Sequence, residues 1–316
     1  MTTQVRSAQP PLQPPVKRRK GMRHETKWFL IFISPWIIGF TLFYALPIIA
    51  SLIFSFYDFN LVNPEERRFI GLENWQRAIM DDPLVPAAFR VTFTFALISL
   101  PIGLIFAMGV ALLLNSPRLV GKNIFRTLFY APTIFPFVAA VLIWAGILNE
   151  QSGWVNLILE SIGLPTVRWL ADPSVIYYTY TLLGIWAIGN TILITLAGLQ
   201  NVPTVLYEAA DIDGAGYWSK MLNVTLPIIS PVIFYNLVLG VIGLMQYFLQ
   251  PFVMNGGDGY PDGSTRFIMI YFYKQAFNFF NMGYGSTLAW LIFLVGVVLA
   301  GALFGTASRW VYYAGE

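Results

Sequence analysis

Ionised side chains are missing from most of this chain. Six apolar stretches, at about 28–57, 90–114, 127–148, 174–199, 228–251 and 284–308, hold no Asp, Glu, Lys or Arg except Arg90, at the start of the second. A charge at the middle of a bilayer costs roughly 3 kcal/mol or more, so lipid burial enforces this exclusion. A soluble protein would scatter charges along its amphipathic helices. Only 11% of the residues are charged and 57% are hydrophobic, against roughly 25% charged in a soluble domain. Each stretch reaches the roughly 20 residues that one helical crossing needs. The expected fold is therefore all-α, with six transmembrane helices.

Orientation follows from the Lys/Arg bias between the two sides. With alternating crossings, one side carries 12 of the 19 basic residues: Arg6, Lys17, Arg18, Arg19, Lys20, Arg23, Lys27, Arg118, Lys122, Arg126, Lys220 and Arg309. The other carries 7, namely Arg67, Arg68, Arg77, Arg90, Arg168, Arg266 and Lys274. Both termini and the segment 200–227 are expected on the cytoplasmic side. Residues 1–26, with Pro10, Pro11, Pro14 and Pro15 ahead of Lys17 to Lys20, read as a disordered basic tail anchored at a membrane surface. The apolar stretch behind it is too long for a cleavable signal core. Residues 27–316 read as one transmembrane domain.

With no Cys and one His, disulfides and thiolate metal sites are excluded, and a His-based site is unsupported. Asp258 and Asp262, near the Gly256-Gly257 turn, lack EF-hand spacing and read as a solvated turn. The net charge of +3 comes mostly from the tail, which points to the membrane surface and away from nucleic acid. Between spans one and two, Glu73 to Met80 reads as a short amphipathic helix. Trp154 and Trp169, between spans three and four, suit the headgroup level.

The polar segment 200–227 is the distinctive one. Pro203 suits a first helical turn, and Thr204 to Asp213 continue it, with Ala209 and Ala210 as strong helix formers. Glu208 and Asp211, three apart, share a face. Gly214 and Gly216 end the helix. A second short helix, Tyr217 to Val224, then runs to Pro227, which opens span five. The product is a helix–turn–helix beneath the membrane. It suits a partner that approaches small residues closely and pairs a base with the acidic face, and equally an ordinary solvated loop.

The pattern Glu208-Ala209-Ala210, Gly214, Val224, Leu226-Pro227 is similar to the EAA signature of binding-protein-dependent ABC importer permeases, with Val224 where Ile is usual. Ser51 to Tyr57, Gly71 to Trp75 and Met282 to Ser286 resemble the maltose/glycerol-phosphate branch of carbohydrate permeases. The resemblance covers about 28–308, and it implies the type I permease fold in a compact six-span form. It further implies that Glu208, Ala209, Ala210, Asp211, Gly214, Leu226 and Pro227 form a loop received by a cytoplasmic ATPase. It implies a second homologous permease, two copies of an ATP-binding subunit, an extracytoplasmic solute-binding protein, and a prokaryotic plasma membrane. This chain would bind no cofactor; ATP and Mg would sit on the ATPase. There is no GxxxxGK[ST] phosphate loop, so the chain is expected to be non-catalytic.

Spans four and five carry sparse polar groups. Asn190 lies one turn beyond Trp186. Asn236, Gly240, Gly243 and Tyr247 fall on one helical face, with Gln246 adjacent and Gln250 below. Amides and aromatic rings suit a neutral polyol, and interhelical hydrogen bonding would use the same groups. By resemblance to the maltose branch, the sugar path falls near Trp186, Ala187, Asn190, Gly240, Gly243 and Gln246. The leading function is inward sugar translocation by alternating access. An ion-coupled secondary transporter of a neutral solute, and a permease for a glycerol-phosphate-like solute, stand as alternatives. Missing mid-span titratable groups disfavour proton coupling, and missing cations disfavour an anionic solute. A membrane enzyme would need a His/Asp/Glu cluster that is not present.

Overall fold

Leu-Pro and Ser-Pro pairs decide how the helices continue. The computed structural model describes residues 22–312. Span one runs Met22–Phe40, passes through a π turn at Thr41–Ala45 and continues over Leu46–Phe54. Pro35 has no N–H for the Ile31 carbonyl; the Ser34 hydroxyl donates to it instead, at 2.9 Å. In span five Pro231 likewise withholds an N–H from the Pro227 carbonyl, and Ser230 Oγ donates there at 2.7 Å. Two π turns, Thr41–Ala45 and Met221–Thr225, each end one residue before a Leu-Pro pair, Leu46-Pro47 and Leu226-Pro227. The wider turn lies where the proline ring would otherwise press on the preceding helical turn.

Several expected boundaries move. The helix begins at Met22, inside the tail expected for 1–26, whose first 21 residues lie outside the described residues. Span two is Leu84–Asn115, so Arg90 sits within its first turns. Span six is Met282–Ala307. Pro227 does not open span five: Tyr217–Lys220, the π turn and Leu226–Met245 are one helical run. That run breaks at Gln246–Phe248 before Leu249–Asn255. Among the described residues four helices are long and apolar enough to cross a membrane, and six crossings result if each of two bent pairs is one span. The bent pairs are spans three and four, expected as single helices. Lys122–Ile134 meets Phe137–Ile147 at 99°, and Ile176–Trp186 meets Gly189–Gln200 at 58°.

The chain divides into compact units at Ser51/Leu52. In the first, Trp28, Phe32, Trp36 and Phe43 are exposed, and Trp36 stacks on Phe40 with centroids 5.4 Å apart. In the second, span two packs along both halves of span four. Ala107, Val110, Ala111 and Leu114 meet Ile192, Leu196, Leu199 and Ile229. Further along, Phe95, Tyr180 and Phe267 form an aromatic core.

At the end of the second unit away from Glu208, the segments resembling carbohydrate permeases interlock. The Ser55 carbonyl accepts from Asn74 Nδ2 at 3.1 Å and Thr287 Oγ1 at 3.2 Å. Asn74 also donates to Tyr57 O at 3.0 Å, and Trp75 Nε1 donates to Ser55 Oγ at 3.2 Å. The Gly283 amide donates to Phe59 O at 3.0 Å. The short helix expected from Glu73 is an α turn at Glu73–Gln76 followed by a π turn at Arg77–Asp81. Trp154 is exposed, while Trp169 Nε1 donates to buried Asn156 at 2.9 Å. Asn255 Nδ2 donates to Leu170 O at 2.8 Å, joining two of the connections at this end. Asp258 pairs with Lys274.

Asp82 closes the same end. Its Oδ2 accepts from Tyr271 Oη at 2.5 Å and Tyr284 Oη at 2.6 Å, and its Oδ1 from the Leu84 amide at 2.9 Å, at the start of span two. Burial opposes ionisation of this carboxyl. The donors and the nearby Arg77 guanidinium outweigh that and hold its pKa below the ordinary value. Burial and Asp82 push Tyr271 up to about 12, so it remains a donor at neutral pH. A depressed carboxyl contributes stability that is complete above its unfolded pKa of about 3.9 and lost as pH falls through the lower folded value. The thermal stability of the purified protein should therefore fall in that acid window, and Asp82→Asn should flatten the response there. An unchanged acid limb in Asp82→Asn would remove Asp82 as its source.

Candidate coupling loop and solute cavity

The loop after span four is built as a rigid hairpin. Its first helix is Thr204–Ile212, begun by Pro203 at φ −62°. Gly214, at φ +74°, stops it. Its amide donates to Asp211 O at 3.1 Å, and the Ala215 amide to Ala210 O at 2.8 Å. This double closure needs a left-handed residue, which explains glycine at that position. Tyr207 Oη lies 2.9 Å from Thr225 Oγ1, across the hairpin. Asp211 pairs with Lys220.

The structure separates the residues expected to contact a partner. Glu208 is exposed and makes no ion pair among the described residues; Ala209 is exposed beside it. Asp211 is engaged internally, and Leu226 and Pro227 are half-buried in the continuous run of span five. Sequence reasoning missed Val205 and Ile212, which are 67% and 87% exposed. They stand three residues before and four after Glu208, so all three share one face with Ala209. An acid flanked by bare aliphatics is a surface suited to burial against a protein. The i, i+3, i+7 spacing was the signal available.

Inside the bundle a cavity of about 300 Å³ lies between spans two, four and five, lined in part by Ser99, Thr181, Asn190, Thr191, Asn236 and Gly240. Its polar lining is hydroxyl and amide, with no charged side chain. Asn190 is exposed in it. Asn236 is buried and donates to Thr195 Oγ1 at 3.2 Å, an interhelical bond. At Gly240 a Cβ would run into the end of the Leu100 side chain.

The remaining expected path residues diverge, because the helix ends at Met245. Gln246 lines a separate groove of about 510 Å³ between spans five and six, with Val241, Ile242, Phe293 and Gly296. A Cβ at Gly243 would meet nothing within 4 Å among the described residues. The Tyr247 ring packs among Phe95, Tyr180 and Phe267, 4.6 Å from the Phe95 centroid, with its hydroxyl buried and without a hydrogen-bond partner among the described residues. Trp186 lies against Trp144 and Phe135 of span three, at 5.8 and 6.3 Å. Ala187 is the first residue of the break in span four. Ser99, Thr181 and Thr191 add hydroxyls to the lining and were not singled out from sequence: Ser99 is a lone hydroxyl in an apolar run, Thr181 ends the hydroxyl-rich run that begins at Tyr177, and Thr191 follows Asn190.

Known proteins share this architecture. Chains of two bacterial transporter structures superimpose on it. The crystal structure of a bacterial alginate ABC transporter with an alginate-pentasaccharide-bound periplasmic protein gives a TM-score of 0.77 at 22% identity, covering 92% of this chain and 98% of that one. A second, of an ABC transporter importing the acidic polysaccharide alginate, gives 0.76 at 23%, covering 91% and 97%. In sequence, the "Probable ABC transporter permease protein YesP" of Bacillus subtilis is 36% identical over 94% of this chain and 96% of its own length. The sulfoquinovosyl glycerol transport system permease protein SmoG of Agrobacterium fabrum is 32% identical over 85% and 86%. The arabinooligosaccharides permease AraP of Bacillus subtilis is 31% identical over 85% of each. The family described as the binding-protein-dependent transport system inner membrane component matches residues 99–313. The chain belongs to this family of ABC importer permeases, the non-catalytic membrane subunits of such systems.

Proposed function

We propose that this permease moves a neutral sugar inward through the cavity between spans two, four and five, driven by a separate ATPase that grips the Glu208 face. The observation that carries the reading is continuity. The hairpin bearing Glu208 joins the second half of span four directly to span five, and both line the cavity. A displacement of the hairpin therefore moves cavity walls. The uncharged lining favours a neutral polyol over an acidic solute, in contrast to the alginate named for its structural neighbours. The sugar permeases among its relatives support a carbohydrate. ATP and Mg belong to the partner ATPase. A second permease, two ATPase copies and a solute-binding protein complete the assembly. The basic side, with the hairpin and both termini, faces the cytoplasm.

The test is uptake by the complex reconstituted in vesicles with its cognate partners, using neutral and acidic sugars. Uptake of a neutral sugar is expected. Uptake of acidic sugars alone would overturn the assignment. Asn190→Ala removes one amide from the wall, worth about 0.5–1.5 kcal/mol. The apparent KM should rise roughly two- to tenfold, with ATPase recovery unchanged. An unaltered KM would place the solute elsewhere.

A further inference from the structure

The acidic pair of the hairpin splits into two roles. Glu208 is exposed, without an ion pair among the described residues, whereas the Asp211 carboxylate, one turn on, pairs with Lys220. The Lys220 side chain is 25% exposed and that of Asp211 62%, so the base is held by the hairpin and the acid reaches to it. Lys220 ends the short helix Tyr217–Lys220, just before the π turn that leads into span five. Its carbonyl also accepts from Thr225 Oγ1 at 3.3 Å, and Thr225 meets Tyr207 Oη at 2.9 Å. Two polar clasps therefore cross between the helices of the hairpin, and both end at the root of span five.

We infer that Asp211 is an internal brace that positions the hairpin through Lys220 and carries force to span five, and is not a contact to the ATPase. The inference rests on the coupling role proposed above. Without the brace, the two helices are joined covalently only through the Asp213–Gly216 turn, which contains two glycines. A turn of that kind yields under load. With the clasps closed, motion of Thr204–Ile212 reaches Leu226–Met245 directly and then the cavity lining at Asn236 and Gly240. Asp211 is thus a positioning residue, and the ionic contact to the partner is left to Glu208.

The experiment uses the full reconstituted complex and reads two quantities: ATPase subunit retained on the permease, and sugar transported per ATP hydrolysed. Asp211→Lys and Lys220→Asp should each lower transport per ATP roughly two- to fivefold, the range of a partly exposed ion pair. ATPase retention should change little. The double exchange Asp211→Lys with Lys220→Asp should restore most of the coupling, an outcome that a partner contact would not produce. Loss of ATPase in Asp211→Lys without rescue by the exchange would overturn the brace. So would unchanged coupling in both single variants. Glu208→Lys in parallel tests the underlying reading: if it leaves the ATPase bound and coupled, the hairpin assignment fails, whatever the brace variants do.

Discussion

Glu208→Lys is expected to strip the ATPase from the complex while leaving the permease folded. The side chain is exposed and makes no ion pair among the described residues. Surface changes of that kind usually alter stability by no more than about 0.5 kcal/mol. The partner side is different. Val205 and Ile212 stand bare on either side of Glu208, so docking on that face would enclose the carboxylate and drive out water. Reversing a charge in such a contact removes an attraction and adds a repulsion, an effect on the order of 2–5 kcal/mol, or at least a tenfold loss of bound partner. Co-purification from mild detergent should show the ATPase falling at least tenfold, with the yield and thermal unfolding of the permease unchanged. Glu208→Gln, neutral and nearly isosteric, should lose less. Recovery of undiminished ATPase from the Lys variant would remove Glu208 from the interface.

Much of this hairpin was legible in the sequence, because local chemistry governs it. Pro203 at the start, Ala209 and Ala210 within and Gly214 at the end place the first helix within one residue of Thr204–Ile212. The apolar stretches were legible for a similar reason: lipid burial excludes charge residue by residue. The cavity was not. A period of 3.6 put Asn236, Gly240, Gly243 and Tyr247 on one face, which holds only while the helix continues. It stops at Met245 with neither glycine nor proline in the break at Gln246–Phe248, and Tyr247 turns into the aromatic core beside Phe95. Asp211 and Lys220, nine residues apart across a turn, are likewise invisible to helical spacing. The resemblance marked the segments around Ser55, Asn74 and Gly283, but only the folded chain shows that they fasten to one another.

Gly189→Leu is expected to cost the fold outright, and the reason is the bend in span four. The helix that ends at Trp186 resumes at Gly189 at 58°, and no proline accounts for it. Packing does. A Cβ at Gly189 would stand 2.5 Å from the Phe129 carbonyl oxygen, 3.1 Å from Tyr130 Cα and 3.1 Å from Thr133 Cγ2. Two of these neighbours are backbone, so no rotamer change can yield the space. The residues belong to Lys122–Ile134, the first half of span three, which meets its own second half at 99°. The bends of spans three and four thus touch at a glycine, and Trp186 against Trp144 and Phe135 closes the same contact from the other side of the break. Overpacking a tight site usually costs about 1–3 kcal/mol, and more where backbone must move. The yield of folded, extractable protein should collapse for Gly189→Leu and fall measurably for Gly189→Ala. Gly146→Leu, near the end of the second half of span three, is the control, because a Cβ there meets nothing within 4 Å and the residue is exposed. Its yield should match the parent. If Gly189→Leu extracts as well as Gly146→Leu, the bend is not held by this contact. Since Asn190 is the next residue, a tolerated Gly189→Leu would also mean that the cavity wall can shift without this packing, and the solute position proposed at Asn190 would lose its structural anchor.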